Sequence, residues 1–191
     1  MRVECIKDGD MPTNGYIVIS GDECAVIDPA LDGEKFFNAA KACGCNIKYI
    51  LLTHGHYDHI GGADKLSDIC GADVYIHELD RELLCDPQKN ASPDYSPTVC
   101  YSMVKTYKDG DVFRLGCEEL TVRHTPGHTK GSSCFFCGDV VFTGDTLFAD
   151  GYGRTDLYGG DHRAIYKSLM ALLREVKGKR IYPGHGEERD F

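Results

Sequence analysis

The stretch Thr53-His54-Gly55-His56-Tyr57-Asp58-His59 places three histidines and one aspartate within seven residues. Imidazole and carboxylate groups are the ligand types that suit zinc and iron(II). The stretch follows the apolar run Tyr49-Ile50-Leu51-Leu52, which predicts a strand, and apolar positions then repeat at helical spacing from Ile60 to Ile69. The motif is therefore predicted to lie in a strand-to-helix loop, where α/β proteins generally hold their sites.

The spacing of the ligand residues within this stretch predicts two groups of side chains, each facing a different cation. Residues two apart face the same side of an extended backbone, so His54 and His56 are expected to approach one cation together. Asp58 and His59 lie past the bend at the predicted helix start and are expected to face a second cation. The bend is attributed to three glycines that free the backbone of side-chain obstruction: Gly55, Gly61 and Gly62.

Three downstream segments supply the remaining candidate ligands. They are Thr125-Pro126-Gly127-His128-Thr129, Thr143-Gly144-Asp145-Thr146-Leu147-Phe148 and Pro183-Gly184-His185-Gly186. With His128, Asp145 and His185 the candidate set has seven members, all of them histidines or aspartates. This set predicts a binuclear metal site.

The chain is predicted to alternate strands and helices around these segments. In the N-terminal half the predicted elements are a hairpin of Tyr16–Ser20 and Cys24–Asp28, a helix over Gly33–Cys43, a strand Asp73–His77 and a helix near Leu79–Cys85. Asp86–Pro97, with three prolines, is predicted to be a loop that flanks the site and is a candidate for mobility.

The C-terminal half is predicted to form a second sheet. Its predicted strands are Asp111–Leu115, Glu118–His124, Cys134–Cys137, Val140–Thr143 and Arg180–Tyr182. Asp161 is predicted to cap a helix whose apolar positions run from Ile165 to Val176 at the helical period.

Length, composition and charge limit the classes of protein to which the chain can belong. Its 191 residues suit one domain with a full core, and no run is apolar enough to cross a membrane. The opening residues Met1–Cys5 have no signal-peptide core, so a cytoplasmic protein is expected. The net charge of −9 disfavours nucleic acid and anionic membranes as partners, so a small-molecule substrate is expected. The sequence does not indicate an oligomeric state.

The ten cysteines are expected to be reduced thiols, because a domain of this size needs no disulfides and their spacing is irregular. Cys134 and Cys137 form a Cys-x-x-Cys pair, but residues three apart in a strand face opposite sides. We interpret them as small buried hydrophobic residues rather than a redox pair.

The four ligand-bearing segments resemble those of the metallo-β-lactamase-fold hydrolases, in the same order and over nearly the whole chain. The resemblance implies an α/β fold, a four-layer αβ/βα sandwich of two mixed β-sheets flanked by helices. It also implies two divalent metal ions, with zinc favoured over iron or manganese. The implied ligands are His54, His56 and His128 for the first metal and Asp58, His59 and His185 for the second, with Asp145 bridging them.

Within that superfamily the chain resembles the glyoxalase II group, through Gly151-Tyr152-Gly153-Arg154-Thr155-Asp156-Leu157. β-Lactamases of this fold generally carry Cys at the position of Asp145, and flavodiiron proteins carry Glu at that of His56, so both are disfavoured. Nucleases of the superfamily carry an inserted domain for which the chain has no room. A single domain over residues 1–191 is expected, without the C-terminal helical substrate domain of glyoxalase II.

Two residues are candidates for substrate contact. In glyoxalase II a cationic residue at the position of Arg154 contacts glutathione; the alternative here is an ion pair with Asp156. That group carries a substrate-contacting Tyr at the position of Asp156, so the chain departs from the pattern there. Tyr57 lies between the ligand residues and is either a pocket residue or an ordinary packed aromatic.

The main functional hypothesis is hydrolysis of a thioester such as S-lactoylglutathione. A hydroxide bridging the two metals attacks the carbonyl carbon, and Asp58 orients the hydroxide and accepts its proton. Thr53, Asp28 and Thr129 are expected to hold the ligand histidines in place, because such histidines usually donate their second N–H. The remaining histidines, His77, His124 and His162, are interpreted as ordinary surface or core residues.

Three alternatives stay open. A persulfide dioxygenase-like enzyme would hold one iron on His54, His128 and Asp145, a two-histidine, one-carboxylate triad. A lactonase or another ester hydrolase of the superfamily would use the same ligand set. A non-enzymatic metal-stabilised module is disfavoured, because structural zinc sites are closed tetrahedra that are usually rich in cysteine.

Overall fold

Two β-sheets face each other in the computed structural model, which describes residues 1–9, 12–94, 96–100 and 103–191. The first sheet contains, in spatial order, β1 (Arg2–Asp8), β2 (Thr13–Ser20), β3 (Glu23–Ile27), β4 (Asn46–Leu51), β5 (Asp73–His77) and β6 (Lys105–Tyr107). Strands β1 to β3 pair antiparallel and β3 to β6 pair parallel. Parallel β3 and β4 therefore end at one edge, where the histidine-rich stretch begins.

The second sheet brings its own strand ends to the same edge of the molecule. Its spatial order is β12 (Arg189–Asp190), β11 (Arg180–Pro183), β10 (Val140–Gly144), β9 (Ser133–Cys137), β8 (Glu118–His124) and β7 (Val112–Leu115). Only β10 and β11 pair in parallel, and the other described pairs are antiparallel. Asp145 follows β10 and His185 follows β11, so the two parallel strands deliver these side chains together.

Helices cover the outer face of each sheet. They are α1 (Gly33–Ala42), α2 (Tyr57–Ile60), α3 (Ala63–Cys70) and α4 (His162–Glu175), with a 3₁₀ helix over Glu78–Cys85. Phe36 and Leu66 of α1 and α3 pack on the first sheet, and Leu169 of α4 packs on the second. Tyr16 and Phe135 belong to a third apolar layer between the sheets. The predicted four-layer αβ/βα sandwich is confirmed.

The structure corrects several element boundaries. Strands β1, β6 and β12 were not predicted, and the helix predicted near Leu79 is a 3₁₀ helix. The helix predicted over Ile60–Ile69 is two helices that meet at Gly61 and Gly62, and Ile69 lies at the surface. The Asp86–Pro97 loop flanks α2, because Asn90 accepts a hydrogen bond from the Tyr57 N–H, while its mobility stays a prediction and its Tyr95 lies outside the described residues.

The three glycines of the ligand loop keep it free of side-chain obstruction, as predicted, and they do so without adopting a left-handed backbone conformation. None of them has a positive φ; Gly61 and Gly62 have φ values of −59° and −84°. A Cβ on Gly62 would lie 2.4 Å from the Pro29 carbonyl oxygen, and one on Gly55 would lie 2.6 Å from Leu83 Cβ. Side chains here would push neighbouring segments off the ligand loop.

The cysteines are distributed through the apolar layers. Cys134 faces the α4 side of the second sheet and Cys137 faces the layer between the sheets, so the two members of the Cys-x-x-Cys pair point in opposite directions as predicted. All ten cysteines are free thiols. No helix in the described ranges is long and apolar enough to cross a bilayer.

Candidate metal centre

The histidine-rich loop is fastened to the end of β3. Asp28 directly follows β3, and its two carboxylate oxygens accept hydrogen bonds from the backbone N–H and the hydroxyl of Thr53, each at 2.7 Å. The Thr53 carbonyl in turn accepts from the N–H of Ser133 at 3.0 Å, which joins the loop to the second sheet. The start of the ligand motif is thus fixed by both halves of the molecule.

Three histidines form the first candidate metal group. His54, His56 and His128 are buried, and their ligand atoms lie within 4.8 Å of one another. His56 Nδ1 and His128 Nε2 are 2.8 Å apart. The structure therefore brings together the triad predicted for the first metal.

The second candidate group joins the same loop to the end of β11. Asp58, His59 and His185 meet the same distance criterion. The Asp58 Oδ2 atom lies 3.6 Å from His59 Nε2 and 3.3 Å from His185 Nε2. This is the triad predicted for the second metal.

Asp145 lies between the two triads. Its Oδ1 atom is 3.4 Å from His59 Nε2, and its Oδ2 atom is 3.4 Å from His128 Nε2 and 3.5 Å from His185 Nε2. Two ligands bound tetrahedrally at about 2.0–2.1 Å to one cation lie about 3.3–3.4 Å apart. The spacings around Asp145 are those of ligand atoms that share cations, and its place between the triads is the one predicted for a bridging ligand.

Unpartnered polar atoms test whether cations fit here. In the described part of the chain five buried side-chain nitrogen or oxygen atoms have no hydrogen-bond partner, and four of them belong to this cluster: His54 Nε2, His56 Nε2, His59 Nε2 and Asp145 Oδ1. A buried polar group without a partner costs free energy, so native structures rarely leave one unexplained. Metal binding would satisfy three of these atoms, because His56 faces His128 through Nδ1 and its Nε2 therefore points away from the shared cation. The cluster is compatible with two metals.

The second ring nitrogen of most of these histidines is already bonded to the protein. Asp28 Oδ2 lies 2.8 Å from His59 Nδ1, and the Thr53 hydroxyl lies 3.0 Å from His54 Nδ1. The carbonyl oxygens of Arg154 and Pro12 lie 2.7 Å from His128 Nδ1 and 3.1 Å from His185 Nδ1. These bonds leave each Nε2 facing the cluster, as metal-ligating imidazoles require.

The roles predicted for Thr53 and Asp28 are confirmed, whereas that of Thr129 is wrong. The Thr129 hydroxyl contacts no histidine among the described residues and instead donates to Asp80 Oδ2 at 2.6 Å. Asp28 could itself be grouped with His54 and His59 as a metal ligand. Because both its oxygens already accept hydrogen bonds from Thr53, we interpret Asp28 as an orienting residue.

The sequence analysis missed Asp80, a fully buried aspartate in the 3₁₀ helix. Besides Thr129, its carboxylate accepts from the backbone N–H groups of Gly55 at 3.1 Å and Gly131 at 2.6 Å. Gly55 separates His54 from His56, and Gly131 follows the His128 loop. Asp80 therefore ties together the two loops that carry the first triad.

Thr13 was also missed. Its hydroxyl donates to Asp58 Oδ2 at 2.8 Å, and it begins β2, far from Asp58 in sequence. This bond fixes the orientation of the predicted catalytic carboxylate. No local sequence motif marks either Thr13 or Asp80, because both act on partners that are remote in sequence.

Electrostatics favour positive charge in the centre of the cluster. Burial, with the neighbouring histidines, lowers the pKa of His54 well below its ordinary value and that of His56 to about 3, so both rings are neutral at neutral pH. Burial opposes ionisation of Asp145, yet the charge of His59 lowers its pKa to about 2. Burial also opposes a charge on His59, but the carboxylates of Asp58 and Asp145 raise its pKa well above the ordinary value. A bound cation would take the place of the proton on His59, because neutral imidazoles and ionised carboxylates are the forms that bind metals.

The two candidates for substrate contact lie at the rim of the cluster. Arg154 is exposed and makes a bidentate pair with Asp156 at 2.7 and 2.8 Å, which is the alternative foreseen from the sequence. Tyr57 is half-buried at the start of α2, beside Asp58. Substrate contact by either residue stays a prediction.

The other histidines lie outside the cluster. His77 is buried and stacks on His124 with ring centroids 4.1 Å apart, and its Nδ1 accepts the N–H of Leu79. His162 is exposed at the start of α4. None of the three belongs to a candidate metal group of the described residues.

Comparison with known proteins agrees with this geometry. The family model described as the metallo-β-lactamase superfamily matches residues 8–185. The chain is 34% identical to the probable metallo-hydrolase YqgX of Bacillus subtilis, covering 95% of this chain and 89% of that protein. It is 32% identical to the hydroxyacylglutathione hydrolase GloC of Haemophilus influenzae, covering 97% and 91%.

Solved structures of similar proteins share the whole fold. The BLEG-1 B3 metallo-β-lactamase superposes with a TM-score of 0.92 and 31% identity, covering 98% of this chain and 93% of that one. The TTHA1623 protein in a di-iron-bound form gives a TM-score of 0.87 and 32% identity, covering 98% and 94%. With the family match across nearly all of its length, the chain belongs to the metallo-β-lactamase superfamily of metal-dependent hydrolases.

Proposed function

We propose that the protein is a metal-dependent thioester hydrolase that acts on a 2-hydroxyacyl thioester such as S-lactoylglutathione. The observation that supports this proposal most directly is the convergence of seven histidine and aspartate side chains. Four of their buried atoms have no hydrogen-bond partner in the described protein. The similarity to a hydroxyacylglutathione hydrolase over 97% of the chain supports the thioester as substrate. Asp145, in place of the Cys of typical β-lactamases, supports the same branch.

The proposed roles of the clustered residues are metal binding and activation of a water molecule. His54, His56 and His128 would hold one divalent cation, Asp58, His59 and His185 the other, and Asp145 would contact both. When bound, the two cations supply an acidified water and draw charge from a carbonyl oxygen. Asp58, held by the Thr13 hydroxyl at 2.8 Å, orients the water and accepts its proton. A thiolate is a good leaving group, so no separate strong acid is required.

Metal content measured beside a substrate panel tests the proposal. The panel contains S-lactoylglutathione, the lactoyl thioester of pantetheine (lactoyl-pantetheine), a lactone, a cephalosporin and glutathione persulfide. We expect two divalent cations per chain, zinc foremost, and thioester hydrolysis that stops on chelation and returns with zinc. A two-metal protein that hydrolyses the cephalosporin or lactone but neither thioester would contradict the proposal.

A persulfide dioxygenase-like enzyme is the second candidate. His54, His128 and Asp145 provide two imidazoles and a carboxylate, and His128 Nε2 lies 3.4 Å from Asp145 Oδ2. This is the ligand set of non-haem iron(II) oxygenases. One iron per chain with oxygen uptake on glutathione persulfide would establish this candidate over the hydrolase.

Arg154 provides a test of the glutathione part of the substrate. Its pair with Asp156 is exposed and therefore weak, so the guanidinium can exchange Asp156 for a substrate carboxylate at little cost. We expect Arg154→Ala to raise KM for S-lactoylglutathione and to leave KM for lactoyl-pantetheine unchanged. Asp156→Asn is the matched control and should not raise either KM. Equal effects of Arg154→Ala on both substrates would assign Arg154 a structural role.

A further inference from the structure

The outward face of α4 has an apolar stripe that is largely open to solvent. Tyr166, Met170 and Leu173 are 50%, 57% and 37% exposed, and their spacing of four and three residues places them on one side of the helix. The opposite side, with Ile165 and Leu172, is buried against the second sheet. The stripe is therefore additional to the face that the fold itself requires.

Cations without partners lie along this stripe. Fifteen of the 21 lysines and arginines form an ion pair with a described acidic group. Arg163, Lys167 and Arg174 have no such pair, and all three are exposed on the outward side of α4. In a chain of net charge −9, this helix face carries three cations outside ion pairs, and the carboxylate of Asp161 interacts with Arg163 and Lys167 only at longer range.

The size and charge of the face indicate the kind of partner. From Tyr166 to Leu173 the stripe spans two turns, about 10 Å of helix, which matches one amphipathic helix better than an extended surface. A bilayer or a nucleic-acid duplex would also face the acidic remainder of the chain and be repelled by it. A second copy docked symmetrically would oppose cations to cations. The complementary partner is a protein helix with apolar and acidic residues.

The same face reaches the rim of the metal cluster. The ring of Tyr152, 39% exposed, contacts the ring of Tyr166 with centroids 5.9 Å apart. Tyr152 precedes Gly153, whose N–H donates to the Asp145 carbonyl at 2.9 Å. The next residue, Arg154, places its carbonyl oxygen 2.7 Å from His128 Nδ1. A partner on α4 would thus lie beside the site.

We propose that the outward face of α4, defined by Arg163, Tyr166, Lys167, Met170, Leu173 and Arg174, docks an acidic helix of a carrier protein that bears the acyl group as a thioester on a flexible arm. The inference rests on the proposed thioester hydrolysis. In the reaction one water adds to the thioester carbonyl carbon and the carbon–sulfur bond breaks. The products are the free acid and the carrier thiol, and no oxidant or reductant is consumed.

The experiment compares one acyl group on two thiols. One substrate is lactoyl-pantetheine. The other is a small acidic helical acyl carrier protein that bears the lactoyl group as a thioester on its phosphopantetheine thiol. We expect KM for the carrier-bound ester to be at least about tenfold lower, and the double variant Lys167→Glu, Arg174→Glu to remove this advantage. The variant should hydrolyse lactoyl-pantetheine as the unmodified enzyme does, because both positions are exposed and outside the metal cluster. Added salt should also weaken the preference.

Lys41→Glu is the matched control, since Lys41 is another exposed cation without an ion pair in the described structure but lies at the end of α1. It should leave the preference for the carrier intact. Equal KM values for the two esters, or a preference that survives the double variant, would overturn the inference. So would binding to anionic lipid vesicles or duplex DNA that is stronger than carrier binding and is lost in the double variant.

A binding measurement separates this inference from the proposed function. If neither ester is hydrolysed, the thioesterase proposal fails. Fluorescence anisotropy of the labelled acyl carrier protein then decides the docking: binding that is lost in the double variant supports it, and no binding overturns it.

Discussion

Asp145 presents one carboxylate oxygen to each side of the ligand cluster, 3.4 Å from a histidine of either triad. In the proposed binuclear site Asp145 would contact both cations, so its replacement with alanine would leave their charges less well neutralised. We therefore expect Asp145→Ala to lower bound metal to fewer than two ions per chain and to abolish hydrolysis, as measured by elemental analysis and thioester assay. Asp156→Ala, which removes an exposed aspartate, should retain both. Full metal content in Asp145→Ala would show that Asp145 is not a bridging ligand.

Asp80 has a different role, because its carboxylate is buried and accepts three hydrogen bonds from the two loops of the first triad. In Asp80→Ala the N–H groups of Gly55 and Gly131 and the Thr129 hydroxyl lose their acceptor. We expect the free energy of unfolding to fall by about 3 kcal/mol or more, measured by urea denaturation. Thr129→Val removes only one of these bonds and should cost less. A change within about 0.5 kcal/mol for Asp80→Ala would contradict the bridging role.

These residues show which parts of the site are readable from sequence. The seven candidate ligands were identifiable because histidine and aspartate are common metal ligands, and four of the seven lie within six residues. Asp80 and Thr13 were not identifiable, since each acts through a hydrogen bond to a segment distant in sequence. The same is true of the Pro12 and Arg154 carbonyls, because any residue can supply a backbone oxygen.

At the scale of elements, the 3₁₀ helix depends on the protonation of His77. The Nδ1 atom of His77 accepts a hydrogen bond from the N–H of Leu79, so this nitrogen must carry no proton. Burial, together with the neighbouring His124, lowers the pKa of His77 from 6.5 to about 4. Above pH 6.5 neither the folded nor the unfolded chain protonates this ring. As the pH falls toward 4 the unfolded chain takes up the proton first, so stability is lost.

We expect wild type to lose up to about 2 kcal/mol more than His77→Asn between pH 7 and pH 5, measured by urea denaturation of both proteins. Asparagine retains a cap acceptor and does not titrate. The titration of the metal cluster is common to both proteins and cancels in the difference. Parallel losses in the two proteins would show that His77 is not the responsible group.

The elements that were predicted correctly have strong apolar periodicity. Helix α4 combines a regular buried stripe with Asp161, whose carboxylate accepts from Arg163 and Ala164 as a cap. Strands β1, β6 and β12 all lie at sheet edges, β6 and β12 are only three and two residues long, and β1 has no buried position. Edge strands gain their stability from a neighbour supplied by the tertiary fold, so local pattern does not reveal them.

At the scale of the whole molecule, the ligands come from both halves of the sandwich. The histidine-rich loop follows the first sheet, whereas His128, Asp145 and His185 follow strands of the second. A cation held by both sets binds the folded chain and not the unfolded one, so it contributes about 4 kcal/mol when present at a thousand times its Kd.

Chelation should therefore lower the Tm by several degrees, and added zinc should restore it, as measured by scanning calorimetry. Asp145→Ala is the control, because a variant with weakened metal binding should respond less to the chelator. An unchanged Tm after verified metal removal would show that the cations do not join the two halves.

The position of β11 sets the point in synthesis at which the second candidate metal group is complete. The N–H of Asn14 donates to the Gly184 carbonyl, and the Tyr16 hydroxyl donates to the Pro183 carbonyl, so the segment bearing His185 is seated by the opening strands of the chain. A ribosome releases the histidine-rich loop long before it releases His185. The ligands of the first group thus emerge before those of the second are complete, and we expect a cation to occupy the second group only after β11 has returned to the N-terminal strands.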